Sequence, residues 1–287
     1  MLEKISNLDR RIIFLFIAFA VALPLIFKPK LPMSYTPAVR NIFEFVENLE
    51  PGSVVVVSGD YDPGSMPELY PMNLAIVRHL LKKDLKIITM NLWAPGAPLS
   101  EQAIFEAAED LKAAYGVEKT YGEDFIFLGY KVGGPVVIDQ LGNDIATAYP
   151  LDTREAKPIK DFPLMKGITN LKDVDLVVSL AAGSPGMADS WVPVGQTRYN
   201  FPLAGGCTAV SAPELYPFLD TGQLTGLMAG LKGAAEYENL LAQKYPKFEL
   251  GSASAGMASQ SIAHIVIVIF IIIGNVAFFM TRNQSNP

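Results

Sequence analysis

Cysteine is almost absent from this sequence: Cys207 stands alone among 287 residues. A single thiol forms no intrachain disulfide and no cysteine-based metal cage. Histidine is nearly as scarce, with only His79 and His264. His79 falls in an apolar-periodic stretch away from the loops, so a Ser-His-Asp triad lacks its base. Cys207 follows Gly205-Gly206 and has no further histidine to activate it, which leaves a buried packing role. The patterns HExxH, GxSxG and GxxxxGK[ST] do not occur, and GDYDPG at 59–64 has the wrong spacing for a dinucleotide fingerprint. Basic runs are missing too. With a net charge of −6, nucleic acid is not expected as a partner.

Charge is lacking in two stretches, and there the absence is informative. Ile12–Phe27 reads IIFLFIAFAVALPLIF, bracketed by Arg10, Arg11, Lys28 and Lys30. Ile262–Met280 reads IAHIVIVIFIIIGNVAFFM, with His264 near one end, Asn275 deeper and Arg282 beyond. Runs of this length can cross a bilayer, and flanking cations can snorkel to its surfaces. A cleaved signal peptide, with Ala18, Ala20 and Ala22 as its small residues, is the rival for the first run. That run continues past those alanines into a basic KPK, which favours an anchor. The expected order is a tail at 1–11, a transmembrane helix at 12–28, and a soluble domain at 29–250. A linker at 251–261 (GSASAGMASQS), a second span at 262–280 and a tail at 281–287 complete it. Lys4, Arg10, Arg11 and Arg282 lie on the terminal side, against Lys28, Lys30 and Arg40. The positive-inside rule then sets the termini in the cytoplasm and the domain outside.

The middle of the chain alternates strand and helix patterns. Ser53–Ser58 (SVVVVS), Lys86–Asn91, Phe125–Gly129, Asp175–Leu180 and Cys207–Ser211 are five strand candidates. Continuous β-branched runs mark strands covered on both faces. Between them, Leu74, Val77 and Leu81 share a helical face, extended by Ile76 and Leu80. Ile104, Ala107, Ala108, Leu111 and Tyr115 form a second stripe, with Ser100 as N-cap and Gly116 just past its end. Ile138, Leu141 and Ile145 suggest a third. This predicts a doubly wound α/β domain with a mostly parallel sheet of about five strands, Rossmann- or flavodoxin-like in its layering. Residues 150–172 lack periodicity and read as an excursion or flap. Gly222, Gly226, Gly230 and Ala234 recur every fourth residue and read as a small-residue helix face, packed on the sheet or on a second copy.

In an open parallel sheet, ligands bind beyond the carboxyl ends of the strands. Four Gly/Pro-rich loops should leave there: GDYDPGS at 59–65, LWAPGAP at 92–98, GYKVGGP at 129–135 and AAGSPGMADSW at 181–191. They carry Asp60, Asp62, Asn91, Trp93, Lys131, Ser184, Asp189 and Trp191. One segment occurs twice, as Ser65-Met-Pro-Glu-Leu-Tyr-Pro71 and Ser211-Ala-Pro-Glu-Leu-Tyr-Pro217. Each copy has capping-box spacing and a first-turn proline, so each should start a helix. Either one helix start arose twice, or two helix N-termini face one crevice and favour an anion. Tyr70 and Tyr216 would be packed, or would wall the pocket. The candidate ligand-binding set is therefore Asp60, Asp62, Ser65, Asn91, Trp93, Ser184, Asp189 and Ser211. Asp60 and Asp62 would take a divalent cation, Mg²⁺ or Ca²⁺, bridging to the anion. The functional expectation is a non-catalytic, membrane-tethered binding or scaffold subunit, associating with the bilayer and with other membrane subunits or itself. A membrane-anchored hydrolase or transferase using loop carboxylates and a divalent metal is the alternative.

Overall fold

The structure, a computed structural model, describes residues 9–29 and 32–282. It divides into Met33–Ala253 and a second unit made of the two ends of the chain. Lys4 and Lys30, on which the orientation expectation partly rests, lie outside the described residues, as do most of the two tails.

Within 33–253, six strands form one sheet: β1 (Val54–Asp60), β2 (Lys86–Asn91), β3 (Phe125–Tyr130), β4 (Leu176–Ala181), β5 (Leu203–Cys207) and β6 (Gly226–Ala229). Their order is β3-β2-β1-β4-β5-β6 and every pairing is parallel. Parallel neighbours need crossovers, and helices lie in them: α3 (Met66–Lys82), α4 (Gly96–Tyr115), α5 (Pro135–Asn143) and α6 (Ala212–Asp220); α2 (Pro37–Asn48) precedes β1 and α7 (Gly230–Lys244) follows β6, with α1 (Arg10–Phe27) and α8 (Ser252–Arg282) in the other unit. Strand side chains alternate between faces. Val54 and Val56 of β1 therefore join a core with Ile126, Leu128, Ile138, Leu141 and Trp191, while Val55 and Val57 are buried toward the layer of α3, α4 and α7. Each such valine contributes about 1.5–3 kcal/mol on burial.

The sequence expectations hold for β1 to β4 and fail at the far edge of the sheet. The fifth strand is Leu203–Cys207, and residues 208–211 are its following turn. A glycine-rich strand reads as a loop, but here contact requires the glycines. A Cβ on Gly205 would lie 2.0 Å from the Ser179 carbonyl oxygen, and one on Gly206 would lie 2.4 Å from the Met72 sulfur. The glycine ladder at 222–234 is not one helix face. Gly222 sits in a turn at φ +76°, Gly226 opens β6, and Gly230 starts α7 at φ +59°. A Cβ on Gly226 would lie 2.4 Å from the Ala38 carbonyl oxygen, because α2 lies against this edge strand. Residues 150–172 are not a flap: Ile159, Phe162, Leu164, Met165 and Leu171 are buried in the core. Ser100 lies inside α4, whose N-cap is Pro95, while Gly116 ends the helix in the left-handed conformation as expected. Ile145 falls outside α5, in a separate turn whose N-cap Asp144 accepts from the Thr147 N–H at 3.1 Å.

Away from the carboxyl edge, His79 ties three helices together. It is fully buried near the end of α3, stacked on Phe43 of α2 with ring centroids 4.4 Å apart. Its Nδ1 lies 2.7 Å from the Tyr237 hydroxyl of α7 and its Nε2 lies 2.8 Å from Glu47 of α2. Burial lowers the His79 pKa, so the ring is neutral: Tyr237 donates to Nδ1 and Nε2–H donates to Glu47. The bond from His79 and that from Tyr245 hold Glu47 at about 2. At the N-terminus of α2, Thr36 donates through its N–H (2.8 Å) and hydroxyl (2.7 Å) to the buried carboxylate of Glu236 in α7.

In the terminal unit, α1 and α8 are both long and apolar enough to cross a membrane. α8 begins at Ser252, so the segment expected to be a linker is helical from its second residue. Its alanines are strong helix formers, and the Ser259 hydroxyl is satisfied by the carbonyls of Val21 and Ala255, each at 3.0 Å.

Candidate functional site

The connection from β1 runs toward β2, whereas that from β4 runs toward β5. The loops after β1 and β4 therefore diverge and leave a crevice at the carboxyl edge. All four expected loops leave from this edge. The candidate ligand-binding residues separate into three groups.

Ser184, Asp189 and Ser211 come together. They line a cavity of about 150 Å³ beyond β4 and β5, with Glu214, Cys207, Met187 and Leu215. Gly186 permits the turn that builds its wall, since a Cβ there would lie 2.3 Å from the Gly183 carbonyl. Asp189 is held by the Gly186 N–H (2.7 Å), the Ser190 hydroxyl (3.1 Å) and the Ser184 hydroxyl. The chain then continues as a π-helix, Met187–Gln196, which fixes Trp191 in the core. Such helices are rare and concentrate at functional sites; nothing in MADSWVPVGQ announces one. Burial pushes the Cys207 thiol up to about 12, with Glu68 adding to the shift, so it lines the cavity as an inert neutral group.

Asp60 and Asn91 are buried behind the edge. Asp60 accepts from the Ser58 hydroxyl at 2.6 Å and the Leu92 N–H at 2.5 Å. Burial outweighs those bonds and raises its pKa to about 7, with Asp189 contributing in the same sense. Asn91 donates to the Gly59 carbonyl and, at 2.8 Å, to the Ser100 hydroxyl. It therefore pins the second loop to the first and to α4. A Cβ on Gly96 would lie 2.1 Å from that same Gly59 carbonyl, which explains the glycine. Trp93 is half-buried on the second loop and is not part of the cavity lining.

Asp62 and Ser65 engage each other. The Asp62 carboxylate accepts from the Ser65 N–H (2.9 Å) and hydroxyl (2.8 Å), and these bonds lower its pKa. Ser65 and Ser211 do occupy the N-cap positions of α3 and α6, but neither side chain caps its helix. The capping boxes do not form, and Ser211 instead pairs with the Thr208 hydroxyl at 3.0 Å. The repeat is also unequal downstream. Tyr70 is buried, with its hydroxyl on Glu106 at 2.5 Å, whereas Tyr216 is exposed. Lys131 is taken up by the Ala148 carbonyl and lies over the Tyr149 ring, 5.5 Å from its centroid. Asp60 and Asp62 thus answer to different partners and do not form the shared cation site expected from their spacing. Among the described residues no cluster of three or more His, Cys, Asp or Glu side chains could hold a metal ion. Glu214 was missed at the level of sequence; its signal was its place in the second repeat copy.

No family model and no curated protein matches the chain. Among solved structures it is similar to the trehalose-6-phosphate synthase OtsA at 12% identity and a TM-score of 0.33, over 94% of this chain and 49% of that one. A structure described as trehalose-6-phosphate from E. coli bound with UDP-2-fluoro glucose gives 11% and 0.31 over the same shares. The chain spans about half the length of those structures. A likeness this slight says nothing about the site.

Proposed function

We propose that this chain is a membrane-tethered, non-catalytic binding subunit of a larger membrane assembly. The observation that carries this reading is the cavity of about 150 Å³ at the carboxyl edge. Two apolar helices flank the domain that bears it. Tethering through both ends restricts rotation and suits docking. The basic residues on the terminal side favour termini in the cytoplasm and the domain outside. The lining offers hydroxyls, an unreactive thiol and two carboxylates, Asp189 and Glu214, but no basic side chain. The ligand is therefore a small molecule bearing hydroxyls or a positive charge. A carboxylate or phosphate would need Mg²⁺ or Ca²⁺ between it and the acidic lining. The alternative, a membrane-anchored hydrolase or transferase, draws on Asp60, a buried carboxyl that titrates near neutrality beside the crevice.

Purification in mild detergent followed by calorimetry tests the reading. Small amines, polyols and phosphorylated compounds are titrated with and without Mg²⁺. The expected result is co-purifying membrane subunits and binding that weakens about tenfold or more in Asp189→Asn/Glu214→Gln. A partner-free protein that turns over a substrate, with activity lost in Asp60→Asn, would install the enzyme instead. Orientation is read from an impermeant thiol label on Asn170→Cys: labelling only after lysis would reverse it.

A further inference from the structure

In α8 the residues that meet α1 fall on one line. Ser259 bonds to the Val21 carbonyl, Phe270 meets Phe16 edge-on with centroids 5.7 Å apart, and Ala263 between them is buried. At about 100° per residue, these three positions fall within an arc of about 40° around the helix. The two polar side chains of the apolar run do not lie there. His264 and Asn275 fall about 120° and 140° away, with Val268 and Ile271 between them. The spacing 264-268-271-275 is i, i+4, i+7, i+11, the seam of a helix pair. All four are exposed. Asn275 donates to its own helix at the Ile271 carbonyl (2.9 Å), and among the described residues its amide oxygen accepts nothing. His264 makes no hydrogen bond among those residues.

We infer that this face pairs with α8 of a second copy of the chain. The inference rests on the membrane reading above. Hydrocarbon offers no partner to an amide or imidazole, so both groups favour contact with another polypeptide. Copies of one chain insert in the same orientation, so a two-fold axis along the membrane normal sets each residue against its own counterpart at equal depth. An amide carries a donor and an acceptor, and so does a neutral imidazole; each complements itself. A different partner would need matching polar groups at both depths, eleven residues apart along its own helix. A second copy supplies both at once, with β-branched Val268 and Ile271 filling the seam between.

The test uses the full-length chain in lipid vesicles. Ile271→Cys on the seam is compared with Ile269→Cys, about 160° from Ile271 around the helix; the native Cys207 is buried. The expected result is dimer cross-linking at 271 and little at 269. In Asn275→Leu, dimerisation should fall about threefold to tenfold, with Asn275→Gln retaining most of it. Equal cross-linking at both positions, an unchanged dimer in Asn275→Leu, or capture of a different polypeptide at 271 overturns the pairing. Release of the protein by alkaline carbonate would overturn the membrane reading itself, a separate outcome seen before any cross-link is formed.

Discussion

Glu68, in the first turn of α3, directs its carboxylate to the backbone N–H of Ala209, 2.9 Å away, and not to its own helix. The first copy of the repeated segment therefore holds the turn that introduces the second. Ser211 of that turn lines the cavity. Glu68→Ala should free residues 208–211, lower stability by about 1–2 kcal/mol, and weaken whatever the cavity binds. Glu68→Gln keeps an acceptor oxygen and should recover most of the loss. Scanning calorimetry of the three proteins decides it, and equal midpoints would remove the contact from the account.

Asp60 should make the domain less stable as pH rises. Its folded pKa is raised from 3.8 to about 7, so the folded state holds a proton that the unfolded chain releases. Stability from this group is complete below 3.8 and is lost as pH climbs through about 7. The loss is on the order of 4 kcal/mol. Urea midpoints for Asp60→Asn should lack that fall, and a wild-type profile flat over the same window would refute it.

His79 should act in the opposite sense. Burial lowers its folded pKa below 6.5, so the unfolded chain takes the proton first as pH falls. Stability is complete above 6.5 and declines below it. Glu47, Tyr237, Tyr245, Lys83 and Lys244 surround the ring, and Glu47 keeps its charge throughout this window. His79→Ala should cost about 3 kcal/mol at neutral pH and abolish the acid-side decline. Denaturation curves on either side of pH 6.5 would show both effects.

Cys207 should be nearly inert in the native protein. With its thiol raised from 9.0 to about 12, the thiolate fraction falls roughly a thousandfold, and burial blocks access as well. Aromatic disulfide reagents should react only on unfolding. Gly205→Ala should raise native-state reactivity, because its Cβ would be driven against the Ser179 carbonyl and part β5 from β4. A slow native reaction unchanged by that substitution would count against the packing argument.

The first four strands were legible because each is a largely apolar run, branched or aromatic in most positions, that burial on two faces accommodates. β5 and β6 were hidden by the contacts that make them. Where Gly205 and Gly226 press against neighbouring backbone, any side chain is excluded, and a strand without side chains reads as a turn. The loops of the site were legible through their Gly-Pro chemistry. Their pairing was not. Asp62 and Ser65 bond to each other, Asn91 donates to Ser100, and short local bonds of this kind leave no periodic trace. Only Ser184 and Asp189, which follow β4, and Ser211, which follows β5, were brought together by the fold.

The clasp between Thr36 and Glu236 joins residues 200 positions apart. A ribosome adding about 5–20 residues per second needs on the order of ten to forty seconds to travel that distance. During that interval α2 has left the exit tunnel without β6 or α7 to cover it. The apolar face of α2, with Val39, Ile42 and Val46, is the first part of the domain to be synthesised and the last to be sheltered. Nascent chains stalled before residue 236 should therefore recruit chaperones through α2, and release from them should coincide with the emergence of α7.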